Sequence, residues 1–131
     1  KLDEKENFLN VDTVCIENQP ALKNPTMKSV QMILYTYFLV NGISTDKLIT
    51  DIQMINARNK LKVYTGPKVE CNITDRYKQN KFLAIKYCNY MIKDNINIDT
   101  KYHILYDSSK KKDDLSDAYL QGIYYINKSN N

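Results

Sequence analysis

The chain has 131 residues, a formal net charge of +4 and a hydrophobic fraction of 43%. This length is sufficient for one domain with a buried core, and we expect a single domain over residues 1–131. No apolar run approaches the roughly 20 residues that span a bilayer, so we expect no membrane partner. The three cysteines form no CxxC pair, which favours reduced thiols in an intracellular compartment over a disulfide scaffold.

The first elements of the chain predict a strand that ends in a carboxylate. Residues 2–9 indicate the end of a helix, and residues 11–16 are short, mostly apolar and β-branched, as is typical of a strand buried on both faces. Pro20 then stops any regular ladder. Glu17 follows this strand directly, at the position where α/β proteins place their ligands. The alternative is a loop acid with no role beyond local capping.

The middle of the chain alternates helix and strand. Apolar periodicity predicts a helix over residues 26–41, which Gly42 ends, and a strand follows over residues 48–55. Thr74 or Asp75 caps a second helix that runs to about residue 93. Residues 95–109 lack periodicity, so a loop is expected there. The order of elements predicts an α/β domain.

The last predicted helix carries an unusual set of acids. It follows three lysines and begins with Asp113, Asp114 and Asp117. Asp114, Asp117 and Gln121 lie at i, i+3 and i+7, so they share one stripe, beside an apolar stripe. Like charges on adjacent turns repel unless a cation lies between them, and carboxylates suit Mg²⁺ or Mn²⁺. Capping of the helix start by one or two of these acids is the alternative. The apolar stripe comprises Leu115, Ala118, Tyr119, Gly122, Ile123 and Ile126.

Basic residues cluster near these acidic segments. Lysine and arginine neutralise phosphates, which is the main sequence-independent contribution to DNA binding. We expect the clusters to bind DNA, although a solvated surface would explain most of them one by one. The predicted DNA-binding residues are Arg58, Lys60, Lys62, Lys78, Lys110, Lys111 and Lys112.

Three segments resemble a known family of nucleases. VCIENQP at residues 14–20, followed by KNPTMK at 23–28, is similar to the second acidic motif of RuvC-like Holliday junction resolvases of poxviruses and other large DNA viruses. KDDLSD at residues 112–117 is similar to their closing motif, in which two acids bind metal. NKFLAI at residues 80–85 resembles a segment that supplies an active-site lysine, which favours Lys81 and leaves Lys78 and Lys86 open.

The resemblance implies a ribonuclease H-like fold, with a mixed central sheet flanked by helices. It implies a homodimeric endonuclease that resolves four-way DNA junctions during viral DNA replication and recombination, in the host cytoplasm at viral replication sites. Glu17, Asp114 and Asp117 would bind two Mg²⁺ or Mn²⁺ ions, and Lys81 would stabilise charge on the scissile phosphate.

The sequence departs from this family at its amino terminus. Family members begin with a strand that carries the first catalytic aspartate, and no such segment is present. The resemblance therefore implies that the amino-terminal strand and one metal ligand are missing from this chain, which leaves its own activity open. Two alternatives remain: a catalytically silent nucleic-acid-binding module of the same fold, and a nuclease that acts on RNA–DNA hybrids.

Overall fold

The computed structural model describes residues 2, 6–45 and 48–130. These residues form an α/β structure that is mostly helical, with a small two-stranded parallel sheet. The chain divides into two compact units, Lys1–Asn56 and Ala57–Asn131. The helix end predicted over residues 2–9 lies partly outside the described residues; Glu6–Leu9 form a short 3₁₀ helix.

The first unit is built on a strand–helix–strand crossover. Strand β1 (Thr13–Glu17) leads into helix α1 (Pro25–Asn41), and the chain returns as strand β2 (Asp51–Ile55). The strands pair in parallel, with Thr13 opposite Asp51 and Glu17 opposite Ile55. Parallel neighbours need such a crossover because their ends lie at opposite edges of the sheet.

The core of this unit is smaller than the sequence predicts. Ile16 and Phe38 are buried, but Cys15 is exposed, so the prediction that β1 is buried on both faces was wrong. In the described residues this sheet has two strands, and Cys15 and the neighbouring Gln53 of β2 are exposed on one of its faces.

Helix α1 lies within one residue of its predicted start and ends at the predicted residue. Asn24 caps it by accepting a hydrogen bond from the Met27 amide, and the Gly42 amide donates to the Phe38 carbonyl at its end. The apolar positions of this helix are not all buried, since Val30 and Ile33 are exposed while Phe38 is buried. Apolar side chains lie on several sides of this helix, so periodicity alone does not identify the side that packs against the core.

The second unit is helical. A 3₁₀ segment (Ala57–Val63) is followed by helices α2 (Arg76–Asp94), α3 (Thr100–Ser108) and α4 (Lys112–Ser129). The buried hydrophobic side chains come from all four elements. They are Val63, Ala84, Cys88, Ile92, Tyr106 and Leu120.

Helix α2 confirms the predicted cap, because the Asp75 carboxylate accepts a hydrogen bond from the Lys78 amide at 2.8 Å. The loop predicted over residues 95–109 was wrong, since α3 occupies most of it. This helix is capped by Asp99 and buries only Tyr106. A helix that buries one residue has no repeating apolar pattern, so the sequence gives little sign of it.

The apolar stripe predicted for α4 is partly confirmed, since Leu115, Tyr119 and Ile123 pack against the core. Ala118 and Ile126 are exposed, whereas Ser116 and Leu120, which are outside the predicted stripe, are fully buried. The prediction missed Ser116 because a serine contributes nothing to an apolar pattern. Across the described part of the chain, no helix has the length and apolar character that crossing a bilayer requires.

Candidate functional site

The three acids of α4 differ in their exposure. The side chains of Asp113 and Asp117, one helical turn apart, are 23% and 27% exposed, while Asp114 is exposed. The sequence spacing predicts that Asp114 and Asp117 share one stripe of the helix. On the more buried side of the helix, however, the neighbour of Asp117 at the i, i+4 spacing is Asp113.

Lys81 forms an ion pair with Asp113. Its ammonium group donates to Asp113 Oδ2 at 2.7 Å and lies 5.0 Å from the centre of the Tyr77 ring. The hydrogen bond from Lys81 lowers the pKa of Asp113. The same hydrogen bond raises the pKa of Lys81, and a hydrogen bond with Tyr77 raises it further by a smaller amount. Both members of the pair are therefore charged at neutral pH.

Lys60 forms the corresponding pair with Asp117. Its Nζ lies 2.5 Å from Asp117 Oδ2, and only 13% of the Lys60 side chain is exposed. Lys60 belongs to the 3₁₀ segment that packs against α4. Two lysines from separate elements thus face two carboxylates on consecutive turns of α4.

This arrangement combines helix capping with charge pairing. The residue at the N-cap of α4 is Lys111, whose side chain makes no capping hydrogen bond. Hydrogen bonds from the backbone amides of Asp113 and Asp114 contribute to the lowered pKa of Asp113, after the larger effect of Lys81. The capping alternative therefore accounts for part of the role of Asp113.

The donor chemistry of these acids fits a divalent cation. Carboxylate oxygens are the hard ligands that Mg²⁺ and Mn²⁺ prefer, and the ammonium of Lys60 shows that Asp117 faces a positive charge. Within residues 2, 6–45 and 48–130, no group of three histidine, cysteine, aspartate or glutamate side chains is arranged to hold a metal ion.

Glu17 is the last residue of β1. The strand ends one residue later than predicted, and the carboxylate of Glu17 lies at its carboxyl end. Its Oε1 accepts a hydrogen bond from Gln19 Nε2 at 2.9 Å. The backbone amide of Gln19 donates in turn to Gln31 Oε1 at 2.8 Å. The segment after the strand is therefore tied to α1 through a side-chain amide.

Gln31 was missed by the sequence analysis. It is 2% exposed, and its Nε2 donates to Met54 Sδ on β2 at 2.9 Å. Lys28 donates to both Gln31 Oε1 and Asn18 Oδ1 at 3.2 Å. A glutamine inside an apolar helical pattern is the signal that would have identified it, since a buried amide needs several hydrogen-bond partners.

The predicted DNA-binding residues lie in three segments of the second unit. Arg58, Lys60 and Lys62 lie on the 3₁₀ segment, and Lys78 is exposed in the first turn of α2. Lys110 and Lys111 lie just before α4 and are exposed. Lys112 is the first residue of α4, and its ammonium lies 5.7 Å from the centre of the Tyr106 ring.

Comparison with known proteins gives one informative similarity. The chain is 37% identical to an uncharacterized protein of Acanthamoeba polyphaga mimivirus over 134 aligned positions. The alignment covers 96% of this chain and 31% of that protein, so the chain spans about a third of its relative. No family model matches the sequence. No solved structure matches it either.

Proposed function

We propose that the protein is a RuvC-like resolvase that cleaves four-way DNA junctions with divalent metal ions. The observation that carries this proposal is the cluster at the start of α4, where Lys81 pairs with Asp113 and Lys60 with Asp117. A site that cleaves a phosphodiester needs cationic groups near the phosphate oxygens and carboxylates that bind the metal ions. The cluster brings both kinds of side chain together.

A parallel strand pair supports the corresponding fold. Strand β1, its crossover helix and β2 form one α/β unit, with Glu17 at the carboxyl end of β1. Ligands of open α/β sheets bind at the carboxyl ends of strands. The proposal extends this unit to a ribonuclease H-like mixed sheet with further strands.

Asp114 and Asp117 of the second unit would hold Mg²⁺ or Mn²⁺, and Glu17 is proposed separately as a metal ligand at the end of β1. When bound, such ions supply an activated water and stabilise the leaving oxygen. Gln19 would orient Glu17 through its hydrogen bond to Oε1. The raised pKa of Lys81 keeps its side chain protonated, which suits it to stabilise phosphate charge and makes it a poor proton acceptor.

The remaining assignments follow from junction cleavage itself. A four-way junction presents two equivalent strands, and a homodimer with two-fold symmetry would place one site on each. Exposed lysines before α4 would contact the DNA backbone. We place this activity in viral DNA replication and recombination, inside the host cell in its cytoplasm.

A catalytically silent nucleic-acid-binding module is the second candidate. It is favoured by the same ion pairs, because Lys60 and Lys81 already neutralise two of the three α4 acids. In this case the cluster would stabilise the helix start, and the basic residues alone would carry function.

Cleavage assays on the full-length protein separate these candidates. Junction, duplex and RNA–DNA hybrid substrates are compared in Mg²⁺, with Asp117→Asn and the control Asp107→Asn, an exposed α3 residue. We expect junction cleavage that falls by about 100-fold or more in Asp117→Asn, as when one preorganised electrostatic group is lost. Junction binding and the control should be unchanged.

Three other outcomes would contradict the proposal. Tight junction binding without cleavage by the wild-type protein would favour the silent module. Preferential cleavage of the hybrid would indicate a ribonuclease H-like enzyme of different specificity. Full activity in Asp117→Asn would remove that residue from the site.

A further inference from the structure

A groove of about 590 Å³ lies in the second unit, between the 3₁₀ segment and the first turns of α2. Residues three apart on a 3₁₀ helix are eclipsed, so Arg58 stacks with Leu61, and Ala57 with Lys60. The groove is lined by Ala57, Arg58, Lys60, Leu61, Arg76 and Asn80.

The lining of this groove suits an anion. Three of its six residues are cationic, one is an amide, and none is acidic. Pockets of about 300–1,000 Å³ that bind small molecules are mostly apolar, so a neutral organic ligand is disfavoured. Arginine presents a planar fork of donors that matches phosphate oxygens, and Arg58 and Arg76 enter from different elements.

We infer that this groove binds the sugar-phosphate backbone of a DNA strand and leads it to the acids of α4. Lys60 lines the groove while its ammonium contacts Asp117, so it joins the groove to the acidic cluster. Arg76 and Asn80 are backbone-binding residues in this arrangement. The second part of the inference, delivery to the acids, rests on the proposed nuclease function.

A strand fits the surrounding charge better than an isolated phosphate does. Positive charge continues beyond the groove along the same two elements, at Lys62 on the 3₁₀ segment and Lys78 on α2, and both side chains are exposed. A single anion would engage the groove alone. Successive phosphates of a polynucleotide would use the flanking lysines as well.

Binding of a fluorescent oligonucleotide by the full-length protein, measured by anisotropy in EDTA across a salt series, tests this inference. Arg76→Gln removes one groove cation, and Lys93→Gln removes a matched charge from the last turn of the same helix. We expect Arg76→Gln to weaken binding and to reduce the slope of log K against log salt by about 0.9 for duplex DNA. Lys93→Gln should bind like the wild type.

A second pair of variants guards against a folding defect. Asn80→Asp places a carboxylate in the groove, and Asn72→Asp places one on an exposed loop residue outside it. Only the first should weaken binding. Equal binding by the groove and control variants, with unchanged thermal unfolding, would overturn the inference. Competition by pyrophosphate with no dependence on oligonucleotide length would instead assign the groove to a small anion.

Because binding is measured in EDTA, without metal ions, its outcome is independent of the cleavage assay. Loss of binding in Arg76→Gln together with a wild-type protein that does not cleave would retain the DNA groove and reject the nuclease. Cleavage that depends on Asp117, with normal binding by Arg76→Gln, would reject the groove and retain the nuclease.

Discussion

The ion pair between Lys81 and Asp113 makes the start of α4 sensitive to pH. The pair lowers the pKa of Asp113 and raises that of Lys81. The Asp113 contribution is therefore present above the ordinary aspartate pKa of about 3.9 and is lost as pH falls through the lowered value. The Lys81 contribution is present below about 10.4 and is lost as pH rises through the raised value.

We predict that Asp113→Asn lowers the thermal unfolding midpoint at neutral pH. The difference from the wild type should shrink as pH falls below about 4, because the Asp113 carboxylate of the unfolded wild-type chain protonates there and that of the folded protein follows at lower pH. Thermal unfolding followed by circular dichroism at several pH values measures this. The exposed Asp107→Asn variant is the control, and a difference that stays constant down to acidic pH would show that the ion pair contributes nothing.

Helices α2, α3 and α4 meet at a buried pair of hydroxyls. Tyr106 Oη and Ser116 Oγ lie 2.9 Å apart, and Ser116 also donates to the Lys112 carbonyl at 2.6 Å. Tyr106 Oη also donates to the Ile85 carbonyl at 3.2 Å, and either hydroxyl can donate to the other. This network links three helices through buried polar groups, each of which needs a hydrogen-bond partner.

Ser116→Ala is predicted to reduce the free energy of unfolding by about 1 kcal/mol, the typical contribution of one buried hydrogen bond. Ser129→Ala provides a matched control, because its hydroxyl donates to the Tyr125 carbonyl one turn earlier on the same helix but is exposed. Its effect should stay within about 0.5 kcal/mol. Chemical denaturation measures the free energy of unfolding of both variants. Equal losses would show that the buried hydrogen bonds stabilise the protein no more than the exposed one.

At the level of elements, the sequence predicts what local chemistry determines. Gly42 and Asp75 lie at helix termini as expected, because caps act within a few residues. Helix α3 was missed although Asp99 caps it, since a cap without apolar period is indistinguishable from a turn. The buried face of α4 was predicted only in part, because an apolar pattern does not include Ser116, whose buried hydroxyl is hydrogen-bonded.

The candidate site shows the same limit. The carboxylates of α4 and the lysines near it were recognisable by type, but not their pairing. Lys81 and Asp113 are 32 residues apart, and Lys60 and Asp117 come from different elements. Which lysine meets which acid is decided by how α4 packs on its neighbours, and no local spacing encodes that packing.

Over the whole molecule, the modest net charge of +4 does not describe how charges are arranged locally. Cations line the groove of the second unit, and carboxylates gather at the start of α4. The proposed nuclease function needs both, since phosphates must be attracted while metal ligands remain negative. Net charge alone would indicate only weak, nonspecific attraction to DNA.

The claim that the acids of α4 bind divalent cations is tested most directly by calorimetric titration of the full-length protein with Mn²⁺. We predict saturable binding by the wild type and by Asp107→Asn, and an affinity lower by about 10-fold or more in the Asp114→Asn, Asp117→Asn double variant, because two hard oxygen ligands are lost. An identical isotherm for the double variant and the wild type would contradict the account.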